Sequence, residues 1–476
     1  MDREKIGQWA HEQFSAADLG HEARRKRAVQ IVAQMMTDPS ASIPEFTVTK
    51  AAAKATYRML ANEDVTHEGL LSGHIAHTMR RCSGLERVLV IQDTMTASFG
   101  GRAARSGLGP VNDADGIWGC LVHTALAVEL TPTHHRVLGV LHQHVWTRPM
   151  EKKPRDETAA QRRKRTRESE RWPDVQRDIA TGFGSLGIDA PHIVLAADRE
   201  GDIFELFEEL DRIEHSFVIR AQHNRLVVSN DKDDEREYSL ARVRSAPVIA
   251  TKTVSVPARG PGRPARTASL VLRATTIEVK PPKNRERKGA PVWMNIVLAE
   301  EVNPPSDKAA VRWYLLTREP IETAEQVLDV TRIYETRWLI EEFHMGLKTG
   351  CSFEERQMET AQALLNFLAF ASIVACKLLQ LRDAARAPEP ASASSILTAS
   401  QLLLLRDVYP RLPQDCTSTQ ALRAIATLGG FYDSSKKVRP GWRTLTAGYV
   451  RLLEREEGYC AALRLLPPTF THKTGE

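Results

Sequence analysis

Two short apolar runs, Val88-Leu89-Val90-Ile91 and Ile193-Val194-Leu195-Ala196, each lead directly to an acid, Asp93 and Asp198. A continuous apolar run of this length suits a buried strand. Between the two lie longer Leu- and Val-rich runs at 120–130 and 136–145, separated by Thr131-Pro132-Thr133, as two antiparallel neighbours are. A polar, helix-like segment at 155–187 precedes the second acid. After it, Asp202-Ile203-Phe204-Glu205 has the spacing of a capping box that opens a helix. Strands alternating with helices predict an α/β core, with Asp93 and Asp198 at the C-terminal ends of strands, where neighbouring side chains converge on an opening. An isolated acid at a strand end is often only a loop cap, so the order of the elements carries more than either residue.

The flanks read differently. Residues 1–68 predict a head of short helices, at 22–36 and, after Thr47-x-Thr49, at 50–60. Its basic and aromatic positions Arg24, Arg25, Lys26, Arg27, Lys50, Lys54, Tyr57 and Arg58 suit a phosphate backbone, since Lys and Arg supply most sequence-independent affinity for DNA. The same residues also suit a solvated helix face. Residues 225–320 carry short Val-, Leu- and Ile-rich runs broken by Gly, Pro and basic loops, and read as a β-rich insertion into a core spanning 69–356. The remainder, 357–476, is helical, with a Pro-Ala-Ser connection at 388–395.

With 42% hydrophobic and 26% charged residues, wholesale disorder is excluded. The 65 Lys plus Arg against 60 Asp plus Glu leave only +5, so clusters matter more than the sum. One such cluster, at 162–167, reads as an added DNA contact or a solvated helix. The loop Arg259-Gly260-Pro261-Gly262-Arg263-Pro264 reads as flexible rather than as a minor-groove hook. Six scattered cysteines without a C-x-x-C pair fit a reduced, cytoplasmic protein. The polar start Met1-Asp2-Arg3-Glu4-Lys5 lacks the apolar core of a secretion signal. Residues 361–381 approach a membrane span in composition, but Gln362, Asn366, Lys377 and Gln380 interrupt them, and a buried helix with no membrane partner is expected.

The segment 334–348 has no proline and one glycine, Gly346. On a single helix at about 100° per residue, Tyr334, Arg337, Glu341 and Lys348 share one face within roughly 60°. Ile333, Leu339, Ile340, Phe343 and Leu347 form an apolar back. An acid, two bases and a phenol are thus presented together, although an exposed Arg-Glu-Lys face is often simply solvated.

Strand with Asp, two strands, helix, strand with Asp, later helix with Glu: this order resembles the ribonuclease-H-like fold and, with Glu341, the DDE transposases and integrases. Tyr334, Arg337, Glu341 and Lys348 resemble the Tyr-Arg-Glu-Lys signature of the insertion-sequence-four family, and Asp198-Arg199-Glu200, Ile340-Glu341-Glu342-Phe343-His344 and Leu298-Ala299-Glu300-Glu301 are similar to its Tn-five branch. The resemblance implies cut-and-paste transposition. Asp93, Asp198 and Glu341 would be catalytic and hold Mg²⁺, with Mn²⁺ as a substitute, because all-oxygen ligation favours these ions. Tyr334, Arg337 and Lys348 would grip phosphates, and Arg220 would lie near the reacting groups. Trp313 would stack on a flipped base, or else be a core strand aromatic. The partner would be double-stranded DNA, meaning terminal repeats and target. The C-terminal helices, 444–466 above all, would pair two subunits as a homodimer. His142 and His144 share a strand face but lack a carboxylate at recognisable spacing, so a metal site there is not expected.

Overall fold

The computed structural model describes residues 3–100, 107–111, 117–131, 134–149, 167–229, 236–257, 264–282, 289–305, 310–384, 391–432 and 440–465. The cluster 162–166, the loop 259–263 and the stretch 388–390 lie outside them.

Five helices come first: α1 (Arg3–Phe14), α2 (Glu22–Thr37), α3 (Ile43–Phe46), α4 (Lys50–Leu60) and α5 (His67–Cys82). Two begin where a threonine hydroxyl accepts a free backbone N–H. Thr49 takes that of Ala52 and starts α4; Thr66 takes that of Gly69 and starts α5. Their apolar faces, including Phe14, Ile31, Met35 and Leu60, join the largest hydrophobic core rather than a separate one.

Ten strands among the described residues form one sheet: β1 (Arg87–Gly100), β2 (Gly109–Pro110), β3 (Ile117–Leu130), β4 (His135–Trp146), β5 (His192–Ala197), β6 (Ser216–Arg220), β7 (Val248–Val256), β8 (Arg266–Val279), β9 (Val292–Glu301) and β10 (Arg312–Thr317). From one edge the order is β2-β3-β1-β5-β6-β10-β9-β8-β7, with β4 also on β3. β1, β5 and β6 are parallel, and β3 and β10 flank them antiparallel. The expected pair at 120–130 and 136–145 is β3 and β4. The β-rich stretch expected at 225–320 is present but continues the main sheet, because β10 pairs with β6 on one side and β9 on the other.

Nine further helices follow among the described residues: α6 (Arg171–Ser185), α7 (Phe204–Arg212), α8 (Ser239–Ser245), α9 (Ala324–Thr336), α10 (Leu339–Met345), α11 (Ala361–Ala384), α12 (Ala399–Val408), α13 (Ser418–Leu428) and α14 (Trp442–Leu465), of which the last three pack chiefly on one another. Alternation along β1 sends Leu89 and Ile91 into the core with Ile340, Phe343 and α11, and Val88 and Val90 into a second core with Ile179 and Phe183. Among described helices α11 alone is long and apolar enough to cross a membrane; 78% of its most apolar stretch is buried inside the protein, where Phe370 meets Phe14 at 5.8 Å between ring centroids. α13 and α14 approach so closely that a Cβ on Gly448 would stand 1.8 Å from the Ile425 carbonyl.

Three local expectations are corrected. β1 does not end at Asp93 but runs on to Gly100 against β3, where it has a hydrogen-bonding partner after β5 has stopped. Residues 334–348 are not one regular helix: α9 ends at Thr336, Arg337 and Trp338 form a turn, α10 follows, and 346–350 widen into a π-helical turn. Asp202 does not cap α7, whose first flanking residue is Ile203. Its buried carboxylate instead accepts from the backbone N–H groups of Gln222 and His223 and from Arg225 Nε at 2.7 Å, tying the loop after β6 to the turn after β5.

Candidate active site

Strand register decides which side chains meet. Ile91 lies opposite Ala196 in the parallel β1–β5 ladder, and Ala197 opposite Ile219 in β5–β6. Continued to the strand ends, the same register sets Asp93, Asp198 and Arg220 in one row across three strands about 4.8 Å apart. Asp198 keeps an extended backbone, and its Oδ1 accepts the Glu200 N–H at 2.8 Å, starting a short 3₁₀ turn. Asp93 Oδ1 accepts the Thr94 N–H at 2.8 Å.

The row is electrostatically uncomfortable. Burial first, then the neighbouring Asp198, with Glu200 adding to both, pushes the Asp93 carboxyl up to about 7, although Arg337 and the Thr94 N–H pull it down. Glu200 is itself raised, by burial and then by Asp198. His344 Nδ1 stands 3.9 Å from Asp93 Oδ2, but burial, then Lys348 and Arg337, hold its imidazole down to about 3. It is therefore a neutral neighbour and no counter-ion.

The α9–α10 segment crosses this edge with its apolar back, Ile333, Ile340, Phe343 and Leu347, fully buried. The Tyr334 ring is buried against Trp313, 5.5 Å between centroids, and its hydroxyl lies 3.5 Å from Arg220 Nη1. Arg220 Nη2 also donates to the Arg312 carbonyl at 3.2 Å. Arg337 Nη2 donates to Glu341 Oε1 at 2.6 Å; burial opposes its charge, but Glu341, Tyr334 and Asp93 together leave its pKa raised. Lys348 sits further along β1, giving a hydrogen bond of 2.6 Å to the Thr96 carbonyl and an ion pair of 3.0 Å to Glu354.

The structure thus brings Asp93 and Asp198 side by side and links Trp313, Arg220, Tyr334, Arg337 and Glu341 around them. It does not gather the three acids into one ligand set: among the described residues no three His, Cys, Asp or Glu side chains stand closely enough to hold an ion, and Glu341 is turned to Arg337. His142 faces Asp178 at 3.2 Å instead of forming a site with His144.

In the N-terminal helices, Arg24 pairs with Asp64, and Arg25 Nε donates to Glu22 at 2.8 Å. Arg27 is half-buried and Lys26 exposed. On α4, Lys50, Lys54, Tyr57 and Arg58 are all exposed at helical spacing, beside Val48 at 83% exposure. Residues 6–65 match the transposase DNA-binding family. The matched residues run from α1 through α4 and include every basic position expected at the head, so the chain carries a segment similar to transposase DNA-binding domains, which supports a transposase that binds DNA.

Two neighbours of Asp93 escaped the sequence. Glu200 had a usable signal, an acid two residues after Asp198. His344, three residues after Glu341, comes to the carboxylate because α10 packs on β1, a contact between distant segments that no local pattern shows.

Proposed function

We propose that this chain is a DDE-type DNA transposase of the insertion-sequence-four family, close to its Tn-five branch. On this reading a ribonuclease-H-like core cuts transposon ends, forms and reopens hairpins, and joins the freed 3′-hydroxyls to target DNA. The observation that carries the reading is the register that sets Asp93 level with Asp198, with Arg337 linking that pair to Glu341.

The carboxylate chemistry suits a divalent ion, while the three acids as they stand do not form one ligand set. An all-carboxylate donor set suits Mg²⁺ or Mn²⁺, and the raised Asp93 marks negative charge that the protein alone leaves uncompensated. Asp93, Asp198 and Glu341 would hold the metal, which supplies activation of the attacking oxygen and stabilisation of the leaving one. Glu341, which accepts from Arg337 in this structure, would have to turn towards the two aspartates to complete the set. Arg337, Arg220 and Lys348 would bind phosphate oxygens of the scissile strand through their guanidinium and ammonium groups. Tyr334 orients Arg220 through its hydroxyl, and Trp313, half-buried at the rim, offers a face for an unstacked base, worth about 1–3 kcal/mol. Lys50, Lys54 and Arg58 contact the backbone of the terminal repeat, and the C-terminal helices pair two subunits.

The test is incubation of the purified chain with candidate terminal DNA and Mg²⁺, scoring nicks, hairpins and joined products. Asp198→Ala is expected to keep DNA binding and lose every product. Binding without any cleavage by the unaltered chain would favour a DNA-binding regulator, and cleavage without joining from precleaved ends a nuclease; either sinks the transposase reading.

A further inference from the structure

A polar cavity of about 180 Å³ lies where α1, α5 and α11 meet. Each helix contributes one stripe: Glu12 and Gln13, then His74, His77 and Arg81, then Lys377 and Gln380. The neutral groups are already committed. His74 Nδ1 donates to Gln13 Oε1 at 2.6 Å, its Nε2 accepts the Val140 N–H at 3.1 Å, and Gln380 donates to the Leu138 carbonyl at 2.9 Å. What remains towards the cavity is two cations, one carboxylate and one imidazole: among the described residues Lys377 makes no hydrogen bond or ion pair, Arg81 donates only to the Leu138 carbonyl, and Glu12 and His77 complete the polar lining. Burial and then Arg81 pull the Lys377 ammonium down, and Glu12 is the one carboxylate among the described residues that acts on it. Two cations against the single carboxylate of Glu12 leave a positive charge in a polar cavity, which an anion would compensate.

We propose that this cavity binds a phosphate-type oxyanion through Lys377 and Arg81, and that the bound anion pins the N-terminal DNA-binding helices to the core. A tetrahedral dianion fits the volume and accepts from both cations at once. The anion is either free phosphate or a DNA backbone phosphate; the chemistry is shared. Glu12, from α1, opposes it and sets its strength.

The probe is inorganic phosphate, followed by phosphorus NMR line broadening and by the unfolding midpoint of the full chain, against chloride at equal ionic strength. A phosphate-specific rise is expected in the wild type. Lys377→Met should weaken phosphate binding about tenfold or more, Lys377→Arg should keep it, and Glu12→Gln should tighten it. Arg80→Gln, which removes an exposed charge one residue from Arg81, should change nothing. If Lys377→Met does not fold, Arg81→Gln reads the same loss. A blunt duplex without terminal phosphates separates the sources: displacement of phosphate by the duplex assigns the site to backbone phosphate, and no displacement assigns it to the free anion. Equal effects of phosphate and chloride, full binding in Lys377→Met, or weaker binding in Glu12→Gln would overturn the proposal, the last because Glu12 would then be a structural counter-ion.

Discussion

Asp93→Asn should make the metal-free protein more stable while removing cleavage. The amide is isosteric and keeps the acceptor for the Thr94 N–H, so the change deletes charge and little else. An ordinary aspartate titrates near 3.8, and Asp93 is raised to about 7. The folded state therefore binds this proton more tightly than the unfolded one, and stability falls as pH rises from about 4 to about 7 and then levels off. Integrated over that window the ionised carboxylate costs about 4 kcal/mol at pH 8 and roughly 1.5 kcal/mol at pH 5. For 476 residues unfolding as a unit, at about 2.1 cal/mol/K per residue, 1 kcal/mol moves the midpoint by about 1 °C. Thermal unfolding without divalent ions should then show Asp93→Asn about 4 °C above wild type at pH 8 and about 1–2 °C above it at pH 5. Adding Mg²⁺ should raise the wild type at pH 8 and leave the variant nearly unmoved. A variant no more stable than wild type at pH 8, or a gap independent of pH, refutes the reasoning that burial and the neighbouring Asp198 leave the Asp93 charge uncompensated.

Two further outcomes follow from the packing and the head. Phe370→Ala, which removes a fully buried ring that touches Phe14 of α1, should cost about 3–5 kcal/mol in denaturant unfolding and expose the first helices to protease early. Lys54→Ala with Arg58→Ala on the exposed face of α4 should weaken DNA binding across sequences and lower the slope of log affinity against log salt by about 1 for each phosphate no longer neutralised; an unchanged slope would show that this face is merely solvated.

The sequence by itself determined the elements whose signal is local. The apolar runs around Val90 and Val194, the hydroxyl cap at Thr49, and the apolar back of Ile333, Ile340, Phe343 and Leu347 all depend on neighbours within a few residues, and each is where it was expected. Tertiary structure decided what depends on partners distant in the chain. β1 passes Asp93 because β3 goes on pairing with it after β5 ends, and residues 225–320 join the main sheet because β10 finds β6 on one side and β9 on the other. Asp202, spaced like a helix cap, is instead claimed by Arg225 and two backbone N–H groups. Glu341 faces Arg337 rather than Asp93 because, in the protein alone, a buried guanidinium is a better neighbour for a carboxylate than two more negative charges. Periodicity records which face of an element is buried; only the register between strands and the balance of charge across them determine which acids meet.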